Sequence, residues 1–229
     1  MTTAATDLPQ RDLVDVRLVA AIELGGCAIC AVRSRAESAA TVAVLDGERV
    51  MDVGFRGGLE RTTSFCRRHV AELIVADRRA TGILSSSILY GTLLGRRLAA
   101  VGEALGSRGR SRRKRLADAA VRPPCVICAE GAAAVDVASQ RLVDRSSDPA
   151  WAAVTGDIPF CVDDLVALMA LAGDSVGFAP IARHQLARLE DLEQRLDAYA
   201  HNSSPERRHL MTHDQRRAAD EASRALGGD

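Results

Sequence analysis

Cys27-Ala28-Ile29-Cys30 and, 34 residues further on, Phe65-Cys66-Arg67-Arg68-His69 set the pattern of the whole chain, because they recur. Cys125-Val126-Ile127-Cys128 is followed after 31 residues by Phe160-Cys161-Val162-Asp163-Asp164. All six cysteines fall in this pattern, and two of only seven aromatic side chains, Phe65 and Phe160, stand immediately before the third cysteine of each half. The recurrence reads as a duplicated module.

Two cysteines two residues apart can aim both sulfurs at one ion, and deprotonated thiolates are strong, soft ligands. A distant Cys-x-x-His supplies two more donors. Taken in chain order, Cys27, Cys30, Cys66 and His69 then make a Cys₃His tetrahedron of the closed kind found in structural zinc sites. Cys125, Cys128, Cys161 and Asp164 make its twin, with a carboxylate where the first half has an imidazole. In this second group Asp163 competes with Asp164, and His184 or a water molecule can complete the shell instead. A water would leave the open position that hydrolytic zinc enzymes use, against the simpler reading of a structural Cys₃Asp site.

Zinc is the preferred ion, with an iron–sulfur cluster as the rival. Disulfides fit an even cysteine count but nothing points to export, and a thioredoxin-like dithiol needs a βαβ setting. Ala31 and Ala129 stand where a haem-attachment motif needs histidine. No Gly-rich phosphate loop, His-Glu-x-x-His or G-x-S-x-G motif is present, so the expectation is a binding or scaffold protein rather than an enzyme.

Outside the cysteines the chain reads as helical. Its 229 residues are 47% hydrophobic and 26% charged, with 30 basic residues balancing 30 acidic ones, which excludes a disordered polyelectrolyte. No apolar run approaches the roughly 20 residues of a membrane span, and Met1 to Arg11 lacks the look of a secretory signal. A soluble cytoplasmic protein with reduced thiols is therefore expected.

Leu13, Val16, Ala20 and Leu24 recur at helical spacing before Gly25-Gly26, and further helices are expected over 29–40, from Cys66 to Arg78, and over 82–104, 127–143 and 161–171. Residues 41–45 carry the one weak strand signal. Within Ile181 to Tyr199, Leu186, Leu189, Leu192, Leu196 and Tyr199 form a stripe that packs on the modules or on a second copy of the chain, with Asp191 and Arg195 paired one turn apart. A last helix starts either near Pro205 or at Thr212, where Gln215 completes a capping box. His209 and His213 share a helix face only if Thr212 is not that start.

These signals divide the chain into a first metal-binding module at 1–105, a basic linker at 106–122, a second module at 123–175 and a C-terminal helical segment at 176–229. Arg108, Arg110, Arg112, Arg113, Lys114 and Arg115 form the only dense charge run. It has no interleaved aromatics for base stacking, so a solvated linker is the first reading and nucleic-acid binding the second.

The stretch from Val16 to Arg97 resembles an uncharacterised bacterial and archaeal family known as domain of unknown function number 6062. The resemblance rests on the apolar helix into Gly26-Cys27-Ala28-Ile29-Cys30, on Glu48-Arg49-Val50-Met51-Asp52 with Arg56, and on Ser64-Phe65-Cys66-Arg67-Arg68-His69 before an apolar helix. The second cysteine pair, Phe160-Cys161 and the Leu-rich helix also suit the family. The chain departs from it at Ala28 and Val126, where proline is usual, at Ser64 and Pro159, where glycine is usual, and at Asp164. The resemblance implies metal binding and a helical fold, and no known activity.

Overall fold

The computed structural model describes residues 8–62, 64–80, 82–121 and 123–227. The stretch Met1 to Asp7, part of the segment scanned for a secretory signal, lies outside them. The protein is mainly α, with twelve α-helices and no strand among the described residues. No helix there is long and apolar enough to cross a membrane.

Contacts gather the chain into two compact units. Unit 1 is Met1–Ser34 with Ala133–Asp229, and unit 2 is Arg35–Ala132. This differs from the succession of modules read from the repeat, because the division falls inside the two helices that follow the cysteine pairs, α2 (Ala28–Leu45) and α8 (Val126–Arg145). Each is one unbroken ladder, so α2 takes in the 41–45 segment that carried the strand signal.

Unit 1 opens with α1 (Leu13–Ile22), whose first amides are capped by Asp12: its Oδ1 accepts from the N–H of Val14 at 2.9 Å and of Asp15 at 3.1 Å. The expected helix forms, but the face expected inside is outside. Leu13, Val16 and Leu24 are exposed, while Leu18, Val19, Ala21 and Ile22 are buried. A helix apolar on nearly every side leaves the choice of face to its neighbours.

Those neighbours are α9 (Pro149–Asp157), α10 (Val162–Ala172) and α11 (Phe178–Asn202), which with the later part of α8 enclose Leu142, Trp151, Leu165, Leu168 and Phe178. Short and absent from the sequence reading, α9 starts from an Asp148 cap with Pro149 in its first turn. At α10 the helix ends on Gly173, whose φ of +51° suits a residue without Cβ.

Along α11, Leu189, Leu192 and Leu196 of the expected stripe pack within unit 1, whereas Leu186 and Tyr199 are exposed. Leu192 meets Ala218 and Ala222 of α12 (His213–Gly227), and Arg195 pairs with Asp191 at 2.9 Å as read from the sequence. The start of α12 is the Thr212 capping box, with Gln215 N–H to Thr212 Oγ1 at 3.3 Å and Thr212 N–H to Gln215 Oε1 at 3.1 Å. Residues around Pro205 form turns and a short 3₁₀ segment, so His209 and His213 lie in different elements.

Unit 2 contains α3 (Gly47–Met51), α4 (Val53–Thr62), α5 (Arg67–Ala80), α6 (Leu84–Gly106) and α7 (Gly109–Ala120). Val50, Leu73, Leu89 and Ile127 are its most buried apolar side chains. The stretch expected as a linker is folded as α7. It packs back on α6, where Ala104 is fully buried and Arg115 pairs with Glu103 at 3.0 Å. The backbone of Ser64 exchanges hydrogen bonds with the segment before α8, its N–H donating to Pro124 O and its carbonyl accepting from Val126 N–H. That bridge sets Cys66 beside Cys125.

Candidate metal centres

Each unit contains one cluster of four donors, and the grouping is crossed relative to chain order. Cys27 and Cys30 meet Cys161 and Asp164 in unit 1, and Cys66 and His69 meet Cys125 and Cys128 in unit 2. All eight residues picked from the sequence are used, but neither set pairs as the repeat suggests. In both clusters every donor atom lies within 4.8 Å of the others, and all six cysteines are free thiols.

The reason for the crossing lies in the helices. With 18 residues, α2 is about 27 Å long, so a donor delivered beyond its far end returns to its start only if the chain doubles back. Residues 46–62 instead fold as α3 and α4 against α6, and present Cys66 and His69 inside unit 2.

In unit 1, Asp164 Oδ2 lies 3.2 Å from Cys27 Sγ and 3.1 Å from both Cys30 and Cys161 Sγ, and the Cys30 and Cys161 sulfurs are 3.7 Å apart. In unit 2, His69 Nδ1 is 3.3 Å from each of Cys66, Cys125 and Cys128 Sγ, and the Cys66 and Cys128 sulfurs are 3.8 Å apart. Zinc–sulfur bonds of about 2.3 Å at tetrahedral angles put sulfurs about 3.8 Å apart, and the matching sulfur–nitrogen or sulfur–oxygen edge is about 3.5 Å. In each cluster the sulfur–sulfur edge of 3.7 or 3.8 Å matches this length, and the edges to the oxygen or nitrogen donor, at 3.1–3.3 Å, lie slightly inside theirs, so each group is sized for one small ion.

Asp164 therefore takes the fourth position in its group. Asp163 is exposed, and His184 lies outside the cluster. The other oxygen of Asp164, Oδ1, accepts from Arg33 Nη2 at 3.3 Å, which orients the carboxylate. Burial pushes the Asp164 carboxyl upward, but hydrogen bonds from Cys30, Cys161 and Cys27, with Arg33 nearby, outweigh it and hold the group below the ordinary aspartate value.

Three of the thiols respond in the opposite sense. Burial pushes Cys161 up to about 12 and Cys128 up to about 11, and raises Cys30 as well, with crowding by neighbouring thiols and Asp164 adding to the shift. For Cys66, burial is outweighed by the backbone N–H of His69 and by the neighbouring Cys128 and Cys125 thiols, so its thiol is lowered. Donors this close resist carrying several negative charges at once, and a dication at the centre supplies the charge that lets all of them ionise.

The unit 2 cluster has an outer support that sequence reading missed. With Nδ1 turned to the sulfurs, His69 Nε2 faces Glu72 Oε2 at 3.4 Å and Glu37 Oε2 at 3.5 Å. Fully buried, it is the one buried side-chain nitrogen or oxygen without a hydrogen-bond partner among the described residues. Metal-binding histidines donate their second N–H to such carboxylates, which fixes ring and tautomer. Glu37 is itself held by Arg68 Nη2, which donates to Oε1 at 2.8 Å and Oε2 at 2.7 Å. A Cβ at Gly131 would stand 2.7 Å from Glu37 Cγ, so this glycine in the interior of α8 makes room for the glutamate.

In the sequence, Glu72 is visible as the residue one turn after His69, but nothing connects Glu37 to a histidine 32 positions away. Glu37→Ala should weaken metal affinity in unit 2 by about 10–100-fold and leave unit 1 unchanged. Competition against a chromophoric chelator measures both.

Fold and clusters define the class: a mainly α protein with two cysteine-rich groups, each able to hold a metal ion. No family model, curated protein or solved structure matches the chain.

Proposed function

We propose that the chain is a zinc protein in which one ion stabilises each unit, and that it serves as a binding or scaffold protein in a reducing, cytoplasmic setting. The observation that carries the reading is the convergence of the donors: two independent groups of four, each inside its own unit, have all donor atoms within 4.8 Å of one another and one sulfur–sulfur edge of 3.7 or 3.8 Å. Closed shells without a water position suit structural ions, and three thiolates favour zinc over harder cations. The duplicated Cys-x-x-Cys modules, like those of the uncharacterised family the chain resembles, supply one donor pair to each cluster.

Elemental analysis of purified protein should find two zinc ions per chain. Stripping them with a strong chelator should lower helicity measured by circular dichroism, and zinc should restore it. Metal-free protein with unchanged helicity, or iron with sulfide, would overturn the reading.

A nucleic-acid partner is the second reading, favoured by Arg110, Arg112, Arg113 and Lys114 of α7, which are exposed and pair with no carboxylate among the described residues. It requires nucleic-acid binding that weakens steeply with salt and is lost when these residues are neutralised.

A further inference from the structure

The two clusters differ in what adjoins them. A cavity of about 490 Å³ in unit 1 has the cluster ligands Cys27 and Cys161 in its wall. A larger cavity in unit 2, about 730 Å³, is lined by Ser64 and Phe65 but by none of the four donors there. The unit 1 cavity falls in the range of small-molecule sites, roughly 300–1,000 Å³.

Its lining has two parts. Phe160, Leu189, Leu192 and Ala225 give an apolar surface from the loop before α10 and from α11 and α12. Arg188, Arg195 and Arg224 bring three guanidinium groups to the same cavity, against the carboxylates of Asp191 and Glu221. Both of those acids are taken up by Arg195, whose Nε lies 2.9 Å from Asp191 and whose Nη1 lies 2.8 Å from Glu221. Arg188 donates to the carbonyl of Asp157 at 2.9 Å, a contact that positions its side chain without neutralising it. Arg224 makes no ion pair with a carboxylate among the described residues. The lining therefore carries one net positive charge beside an apolar wall, with Arg188 and Arg224 the two guanidinium groups not engaged by its carboxylates.

We propose that this cavity binds a small carboxylate with an apolar body, its head on Arg188 and Arg224 and its tail on Phe160, Leu189 and Leu192. Charge-assisted hydrogen bonds to guanidinium favour a carboxylate over a neutral or cationic head of the same size. Three thiolates and a carboxylate around one dication leave the cluster net negative, which turns the head away from Cys27 and Cys161 and the tail toward them. Cys27 is only half-buried, so the bound tail covers the cluster's exposed side. Occupancy should therefore slow removal of the metal from unit 1, and this last step rests on the metal reading above.

Octanoate is the probe, titrated calorimetrically into the full-length chain after its metal content has been measured. One octanoate per chain is expected, weakened at least about tenfold in Arg188→Gln/Arg224→Gln, a loss corresponding to about 1.4 kcal/mol. Octylamine should not bind. Saturating octanoate should also slow chelator extraction of one of the two ions and leave the other unchanged, with the unit 1 ion identified by Asp164→Ala. No heat with octanoate, equal binding of octylamine, or undiminished binding by the double variant would overturn the carboxylate site. Unslowed extraction would overturn its placement against the cluster. Should the chain contain no metal, the metal reading falls alone, and the calorimetry still decides the cavity.

Discussion

A chain carrying Cys66→Ser and Cys125→Ser together should bind one metal ion, the same number as either single variant, while Cys27→Ser with Cys66→Ser should bind none. These counts follow from the crossed grouping, since Cys66 and Cys125 share one cluster and Cys27 belongs to the other. Grouping in chain order gives the reverse: the first double variant would lose both ions and the second only one. Serine is a stringent replacement because its hydroxyl does not ionise near neutral pH and cannot match a thiolate as a soft ligand. Elemental analysis after exhaustive dialysis gives the counts directly.

The effect on folding should be as large as the effect on stoichiometry. Structural zinc contributes on the order of 10 kcal/mol in small zinc domains, comparable with the roughly 5–15 kcal/mol total stability of a typical domain. Unit 2 has a small apolar core, centred on Val50, Leu73, Leu89 and Ile127. Loss of its ion should melt the α5 and α6 region first, seen as selective loss of amide-exchange protection there. Protection in α9 to α11 should persist, because that unit retains its own cluster and the larger core around Trp151.

The second large effect lies away from the metal. Asp15→Asn should destabilise unit 1 by about 3 kcal/mol, read as a fall in the urea midpoint. Asp15 is fully buried, accepts the N–H of Arg11 at 2.9 Å and Arg141 Nη1 at 3.1 Å, and is paired with Arg145. Arg141 retains Asp12 at 2.8 Å, but Arg145, which lies over the Trp151 ring with its Cζ 5.9 Å from the ring centroid, loses its carboxylate. Leaving a mostly buried cation unpaired is what makes breaking such a pair cost about 3–5 kcal/mol.

The pH dependence has a definite sign. Burial raises the Asp15 carboxyl, yet the Arg11 N–H and the two arginines outweigh it, so the folded-state value lies below the ordinary 3.8. The contribution is therefore complete above about pH 4 and is lost as pH falls through the folded-state value. The stability difference between wild type and Asp15→Asn should stay constant from neutrality to about pH 5 and shrink below pH 4. Acid release of metal affects both proteins alike and cancels in the difference.

Much of this architecture can be read from the chain. The long helices α2, α5, α6, α8, α10 and α11 announce themselves by apolar spacing, and the Thr212–Gln215 box marks the start of α12 by a local hydrogen-bond pattern. What escapes is short or ambiguous. With Gly54, Gly57 and Gly58, α4 has poor intrinsic helix propensity, and forms through packing against α6. The Gly-, Ser- and Arg-rich stretch of α7 has the composition of a linker, and its helix lies packed back on α6. Along α1, apolar residues on nearly every side meant that spacing alone could not tell which stripe would face the core.

The same line divides the metal sites. Ligand type is a property of local sequence: a Cys-x-x-Cys pair presents two sulfurs to one ion wherever it is placed, and seven of the eight donors follow from spacing, while the fold chooses Asp164 over Asp163 and His184. Which pair joins which depends on where two helices of 18 and 20 residues carry the chain between donors, and that direction is set by long-range packing. Tertiary structure alone therefore decided that Cys27 and Cys30 belong with Asp164, that Glu37 stands behind His69, and that only the unit 1 cluster borders the cavity proposed to bind a carboxylate.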